Sequence, residues 1–319
     1  MIANSSDTNL KNIEIAGKLW NKLWENYSAR VSYAGIYQQM ILEAGGTIAN
    51  DHIAFRSLRL NVETPQGKKN LGIEYIEQIA EALGYFVAGE LSFPDQKLYA
   101  RHYRHPQQEQ FDLPKLFISE LIVEELPADI AQLIEQTVTT DLAIATQSIA
   151  SLMNTADTEH IADQLQKIFT RPWQPPLRST VETVNKITQY GAWVLLHGYA
   201  VNHFTGYINR HNTQQYPDIE STARGLAERG VPMKAEIEGN RSTGLRQTAT
   251  QAITENVPVR DDITKELITI PWTYAYYEIA ERNLIEIAPG QTALFEAFLG
   301  PNAQNLFEMT RIADEGVEK

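Results

Sequence analysis

The stretch Asp51-His52-Ile53-Ala54-Phe55-Arg56 sets three ionisable side chains around apolar ones in a segment that otherwise reads as a buried strand. A second stretch, Asn202-His203-Phe204-Thr205-Gly206, carries a histidine at the same place. A neutral imidazole offers one nitrogen lone pair to a metal, and its recurrence at equivalent points of a repeat brings two donors together. A third donor should come from another strand around the same space. Glu278 lies among Tyr274, Tyr276, Tyr277 and Ile279. A carboxylate is costly to bury there unless it binds a cation; otherwise it faces water from an edge strand. Glu120 is its expected counterpart in the first copy, and Glu281 is a reserve. Two histidines and a carboxylate make the facial triad of non-haem Fe(II) enzymes, which leaves positions open for a substrate and oxygen. The chain has no cysteine, so disulfides, thiolate metal sites and a cysteine nucleophile are excluded.

The remaining five histidines have blander readings. His160, in a polar helix, and His211, in a polar loop, are expected at the surface. His102 and His105 are three apart, which on a strand sends them to opposite faces. His197, in an apolar run, is a core histidine or a reserve ligand.

Strand periodicity adds a substrate contact. His52, Ala54 and Arg56 fall on one face, with Arg56 about 13 Å beyond His52 at roughly 3.3 Å per residue. Its guanidinium fork suits the far carboxylate of a short diacid whose other end chelates the metal. Asp51 points the other way and reads as a structural or supporting group. Glu278, Ala280 and Arg282 repeat the acidic, small, basic spacing, so Arg282 is a second anion clamp or a plain surface arginine. Gln247 is a neutral donor to the pocket if its strand turns that face inward.

These residues are positioned by a repeated order of elements. Residues 9–43 hold an apolar stripe (Ile13, Leu19, Leu23, Tyr27) that stops at Gly45-Gly46, as one or two helices do. From 51 the pattern is strand, helix (Ile73, Ile76, Ala80, Leu83), then three strands ending in the segment Lys115–Glu125. Helical stretches intervene from about 127 to 190, with Ser179 and Glu182 as a capping-box signature. Strand, helix and three strands then return, the last strand being Glu266–Arg282. His52 to Glu120 spans 68 residues and His203 to Glu278 spans 75, as a divergent duplication would give. The expected class is α+β: paired βαβββ modules forming a curved mixed sheet around a metal cavity, with added helices. The expected divisions are N-terminal helices at 1–50, a first module at 51–126, a helical insert at 127–190, and a second module with a C-terminal tail at 191–319.

Twenty-seven basic residues against forty acidic give a net charge of −13, which repels nucleic acid and an anionic membrane surface. The first ten residues have neither a basic start nor an apolar core, and no segment approaches the roughly 18 apolar residues of a span. A soluble, cytoplasmic protein is expected, of unspecified oligomeric state.

The segments DHIAFRSL, VNHFTGYIN and YYEIAER, in this order and separation, resemble the 2-oxoadipate dioxygenase/decarboxylase family, also called hydroxyglutarate synthases. The resemblance spans about residues 10–310 and implies a vicinal-oxygen-chelate type of fold. It implies Fe(II) held by His52, His203 and Glu278, and a substrate carboxylate held by Arg56. The implied reaction, of lysine-catabolism type, turns 2-oxoadipate and O2 into 2-hydroxyglutarate and CO2. The chain is shorter than some members, so lid or C-terminal contacts to substrate are expected to differ. Two other readings remain at this stage: a redox-silent lyase or isomerase of glyoxalase type using Zn or Ni as a Lewis acid, and a non-catalytic small-ligand-binding protein. Oxygen consumption separates the first from a dioxygenase, and tight binding of a redox metal argues against the second.

Overall fold

The computed structural model describes residues 5–65, 67–143, 148–300 and 307–310. In chain order the helices and strands are α1 (Ser5–Arg30), α2 (Ser32–Glu43), β1 (Asn50–Arg59), β2 (Asn61–Thr64), β3 (Gly67–Asn70), α3 (Ile73–Ala82), β4 (Phe86–Phe93), β5 (Leu98–Arg104), α4 (Gln108–Phe111) and β6 (Lys115–Ile122). Then come α5 (Ala128–Thr139), α6 (Ile149–Met153), α7 (Thr158–Gln166), α8 (Arg178–Ile187) and α9 (Gln189–His197). The chain continues through β7 (Val201–Tyr207), α10 (Ile219–Glu228), β8 (Glu238–Asn240), β9 (Leu245–Ala249), β10 (Thr254–Arg260), β11 (Leu267–Thr273), β12 (Glu278–Arg282), β13 (Leu284–Ala288) and β14 (Gln291–Leu294). No described helix is long and apolar enough to cross a membrane.

Eight strands form one curled sheet in the order β4-β5-β6-β1-β7-β12-β9-β8. The order is symmetric about the antiparallel β1–β7 pair. In each half the first strand pairs in parallel with the last, β1 with β6 and β7 with β12. Each last strand then pairs antiparallel with its predecessor in the sheet, β6 with β5 and β12 with β9. Alternation divides the two central strands between two environments. His52, Ala54 and Arg56 face the concave side, while Phe55 packs on Phe169 and Phe204 packs on Trp24 and Tyr27 of α1. The α1 stripe (Ile13, Leu19, Leu23, Tyr27) is buried against that convex side. α2 follows after Val31 and ends before Gly45, whose φ of 71° reverses the chain.

The sheet register corrects one equivalence. Phe117 pairs with Ala54 in the first half and Glu278 with Thr205 in the second, so Glu278 corresponds to Phe117. Glu120 corresponds instead to Glu281. Both do the same job: Glu120 accepts from the Ile73 N–H at the start of α3 (2.8 Å), and Glu281 from the Ile219 N–H at the start of α10 (3.0 Å). A carboxylate there satisfies a helix's orphan donors and meets its positive end.

Other elements also depart from the sequence reading. The expected last strand is two: β11 pairs with β10 in a separate hairpin, and Tyr274–Tyr277 break the run before β12. The loop after β1 forms the β2–β3 hairpin, and β13–β14 form another. α9 carries the helical region past residue 190 to His197. Ser179 does not cap α8; its backbone N–H donates to Asp262 (3.2 Å), while Glu182 pairs with Arg178 (2.7 Å). The expected helical stretch around residue 145 falls partly outside the described residues.

Candidate metal centre

The register brings His52 of β1, His203 of β7 and Glu278 of β12 onto adjacent strands at the closed side of the sheet. One ligand atom from each lies within 4.8 Å of the others. His52 Nε2 is 3.4 Å from His203 Nε2 and 3.7 Å from Glu278 Oε1, and His203 Nε2 is 3.6 Å from Glu278 Oε2. Ligands about 2.1 Å from a shared ion at right angles sit about 3 Å apart, so these separations need only a small contraction.

Each histidine is turned by its neighbour. The His52 Nδ1–H donates to Asp51 Oδ2 (2.8 Å) and the His203 Nδ1–H to Asn202 Oδ1 (3.0 Å), which leaves both Nε2 lone pairs facing inward. Burial lowers the pKa of both rings, well below the usual range for His203, so both are neutral donors. Burial first, then the Asp51 charge, pushes the Glu278 carboxyl well above its ordinary value. Both its oxygens are buried, and only the Thr205 hydroxyl on β7, which also lies 3.1 Å from His52 Nε2, stands beside them as a donor. Three inward donors, one an orphaned carboxyl, are a set that a divalent cation completes, and the two-imidazole, one-carboxylate composition fits Fe(II).

Beside the two histidines lies a small, narrow cavity. Ala54, Phe117, Tyr276, Phe298, Leu299 and Phe307 give it apolar walls, and Arg56, Ser119, Asn202 and Gln247 its polar groups. The Tyr276 ring stacks on His203 at 4.7 Å, and the Phe298 edge meets His52 at 4.8 Å. Arg56 is buried under the Tyr190 and Trp193 rings; it donates to Thr310 Oγ1 (2.8 Å) and the Phe307 carbonyl (3.1 Å).

Thus the structure brings His52, His203, Arg56 and Gln247 to one cavity, with Glu278 buried against the two histidines. Arg282 is neither a clamp facing the cavity nor a surface residue; it is fully buried against Asp51. His211 is buried as well, between the Tyr37 hydroxyl (2.6 Å) and the Tyr216 carbonyl (3.1 Å). His197 packs on Trp193 and Tyr274 as a core histidine, and His160 is exposed. His102 lies behind Phe298, and His105 falls past the end of β5 beside Tyr85. Sequence reasoning did not single out Asn202, Ser119, Tyr276 or the wall residues Phe298, Leu299 and Phe307. The first was legible, because Asn202-His203 repeats Asp51-His52.

The sequence model of the family described as 2-oxoadipate dioxygenase/decarboxylase matches residues 18–315. A chloroplastic protein of that name from Arabidopsis thaliana is 27% identical over 279 residues, covering 82% of this chain and 67% of its own length. Its counterpart from Oryza sativa subsp. japonica is 27% identical over 252 residues, covering 76% and 61%. The chain therefore spans about two thirds of the length of these curated relatives. The crystal structure of the Oryza sativa hydroxyglutarate synthase in complex with 2-oxoadipate superposes with a TM-score of 0.75 at 21% identity, over 97% of this chain and 95% of that one, a likeness of fold. With nearly its whole length matched, this chain belongs to the 2-oxoadipate dioxygenase/decarboxylase family.

Proposed function

We propose that the chain binds Fe(II) through His52, His203 and Glu278 and converts 2-oxoadipate and O2 into 2-hydroxyglutarate and CO2. The carrying observation is the triad itself, with an orphaned carboxyl between two inward imidazoles, in a cavity whose wall also holds Arg56. When bound, Fe(II) supplies the activation of O2 and an anchoring point for the 2-oxo acid head. The substrate's own oxidation supplies the electrons: the first carbon leaves as CO2, the keto carbon becomes a carboxylate, and the carbon beside it gains a hydroxyl. No further reductant is consumed.

The chain's residues orient and enclose. Arg56, four residues beyond His52 on the same strand face, receives the distal carboxylate, and its guanidinium is held in place by Tyr190, Trp193 and the 307–310 turn. Ala54 leaves room for the methylenes between them. Gln247 and Asn202 supply neutral donors, and the Asn202 amide nitrogen is buried with no partner among the described residues. Phe117, Phe298 and Phe307 keep water from the reacting carbon, which limits side reactions. A redox-silent lyase reading explains the triad equally well, yet it gives Arg56 and the apolar walls no specific task. Reconstitution decides between them: Fe(II) restores product formation and Zn(II) or Ni(II) does not. Equal turnover with Zn(II) would refute the dioxygenase reading.

A further inference from the structure

The two histidines are chemically unequal. At equivalent points of the two halves His52 leans on a carboxylate, Asp51, and His203 on a neutral amide, Asn202. Asp51 is in turn held by Arg282, whose Nε donates to Oδ1 (2.5 Å) and Nη2 to Oδ2 (2.8 Å). The third nitrogen, Nη1, donates to the Phe295 and Ala297 carbonyls (2.9 and 2.8 Å). Every nitrogen of this guanidinium is therefore engaged. Lys115 joins the cluster, 2.7 Å from Glu296 and 3.8 Å from Asp51, so two cations neutralise two carboxylates.

Strand direction explains the placement. β12 runs antiparallel to β1, so Arg56 and Arg282, each four residues beyond a metal-ligand candidate, lie on opposite sides of the triad along the strands. Arg56 reaches the substrate end, and Arg282 comes round behind His52. The carbonyls it holds lead directly into Phe298, whose ring edge rests on that same imidazole.

We propose that Arg282 is a positioning residue with two tasks: through Asp51 it fixes the tautomer and tilt of His52, and through the 295–297 backbone it seats Phe298 over the site. The inference rests on the metal-site reading above. It gives the metal one strongly supported imidazole and one weakly supported one, where a symmetric duplication would have made them alike.

The test is Co(II) titration, followed by the visible ligand-field spectrum, of wild type, Asp51→Asn, Arg282→Met, the Asp51→Asn/Arg282→Met double variant, and Arg246→Met. The last breaks a comparable buried pair, with Glu281, away from the metal. Loss of such a supporting partner lowers metal affinity by roughly 10–100-fold. Each single variant at 51 or 282 is expected to show that loss and a shifted spectrum, and Arg246→Met neither. The double variant, which removes the buried charges as a pair and so retains the better prospect of folding, should bind Co(II) as Asp51→Asn does while showing a higher KM for 2-oxoadipate. A double variant another tenfold weaker than Asp51→Asn, or one with an unchanged KM, overturns the proposal. So does wild-type affinity and spectrum in Arg282→Met. If instead wild type and His203→Ala bind Co(II) alike, it is the metal-site reading that fails.

Discussion

Replacing Glu278 by Met should make the metal-free protein more stable and the metal-exposed protein less so. The carboxyl is fully buried, and beyond the Thr205 hydroxyl no described residue offers its oxygens a hydrogen bond, so it persists at a cost that a cation offsets. An unsatisfied buried polar group costs about 1–3 kcal/mol. Met has a similar volume and an adaptable chain, so the packing penalty is small. At about 1.5 °C per kcal/mol for a chain of this length, the Met variant in chelator should melt roughly 1–4 °C above wild type in chelator. Metal at a thousand times its Kd stabilises wild type by about 4 kcal/mol, a gain that the variant forgoes. The expected order of Tm is wild type with metal, then the variant with or without metal, then wild type in chelator. Calorimetry of both proteins, each in chelator and with anaerobic Fe(II), checks this order. A variant that melts below wild type in chelator refutes the reasoning, because Glu278 would then have a protein partner instead of awaiting a cation.

Arg56→Lys keeps the charge and loses the two-pronged fork, a contact of about 1.5–3 kcal/mol, so KM for 2-oxoadipate should rise roughly 10–100-fold with a smaller change in kcat, read from steady-state kinetics. Ala54→Val narrows the space between His52 and Arg56 and should move the kcat/KM preference toward the 2-oxo diacid one carbon shorter, by about 1–3 kcal/mol in relative terms. Metal affinity should climb with pH. The Glu278 carboxyl of the metal-free protein has a raised pKa while both histidines are already neutral, so binding expels about one proton until the pH passes that pKa. The same shift makes Glu278 a destabilising group in chelator as pH rises above the unfolded carboxyl's value toward the folded one, so metal-free Tm and metal affinity should move in opposite directions with pH. Titrations at several pH values read both.

The part of this site that sequence made legible is the part carried by local pattern. His52 and His203 stand out because a repeated strand places the same residue type at the same point, and Arg56 follows from period-two spacing alone. Register is not local. Matching carboxylate to carboxylate paired Glu278 with Glu120, whereas the ladders pair Glu120 with Glu281 as helix-cap acceptors and leave Phe117 opposite Glu278. The fate of Arg282 likewise depends on which strand end Asp51 occupies, a fact of topology. The polar loop around His211 looked solvated because its burial comes from Tyr37 on α2, far away in sequence. Likewise, the Ser179 and Glu182 spacing matched a capping box, but Asp262 takes both the Ser179 N–H and its hydroxyl, and Arg178 takes the Glu182 carboxylate. The wall residues Phe298, Leu299 and Phe307 carry no period or motif in the sequence and are visible only once the cavity exists.

The central claim is tested most directly by oxygen uptake of anaerobically Fe(II)-loaded protein supplied with 2-oxoadipate, with CO2 and 2-hydroxyglutarate measured in the same vessel. The account predicts that O2 consumed, CO2 released and 2-hydroxyglutarate formed agree mole for mole. Bound iron with no uptake, or uptake without 2-hydroxyglutarate, would contradict it.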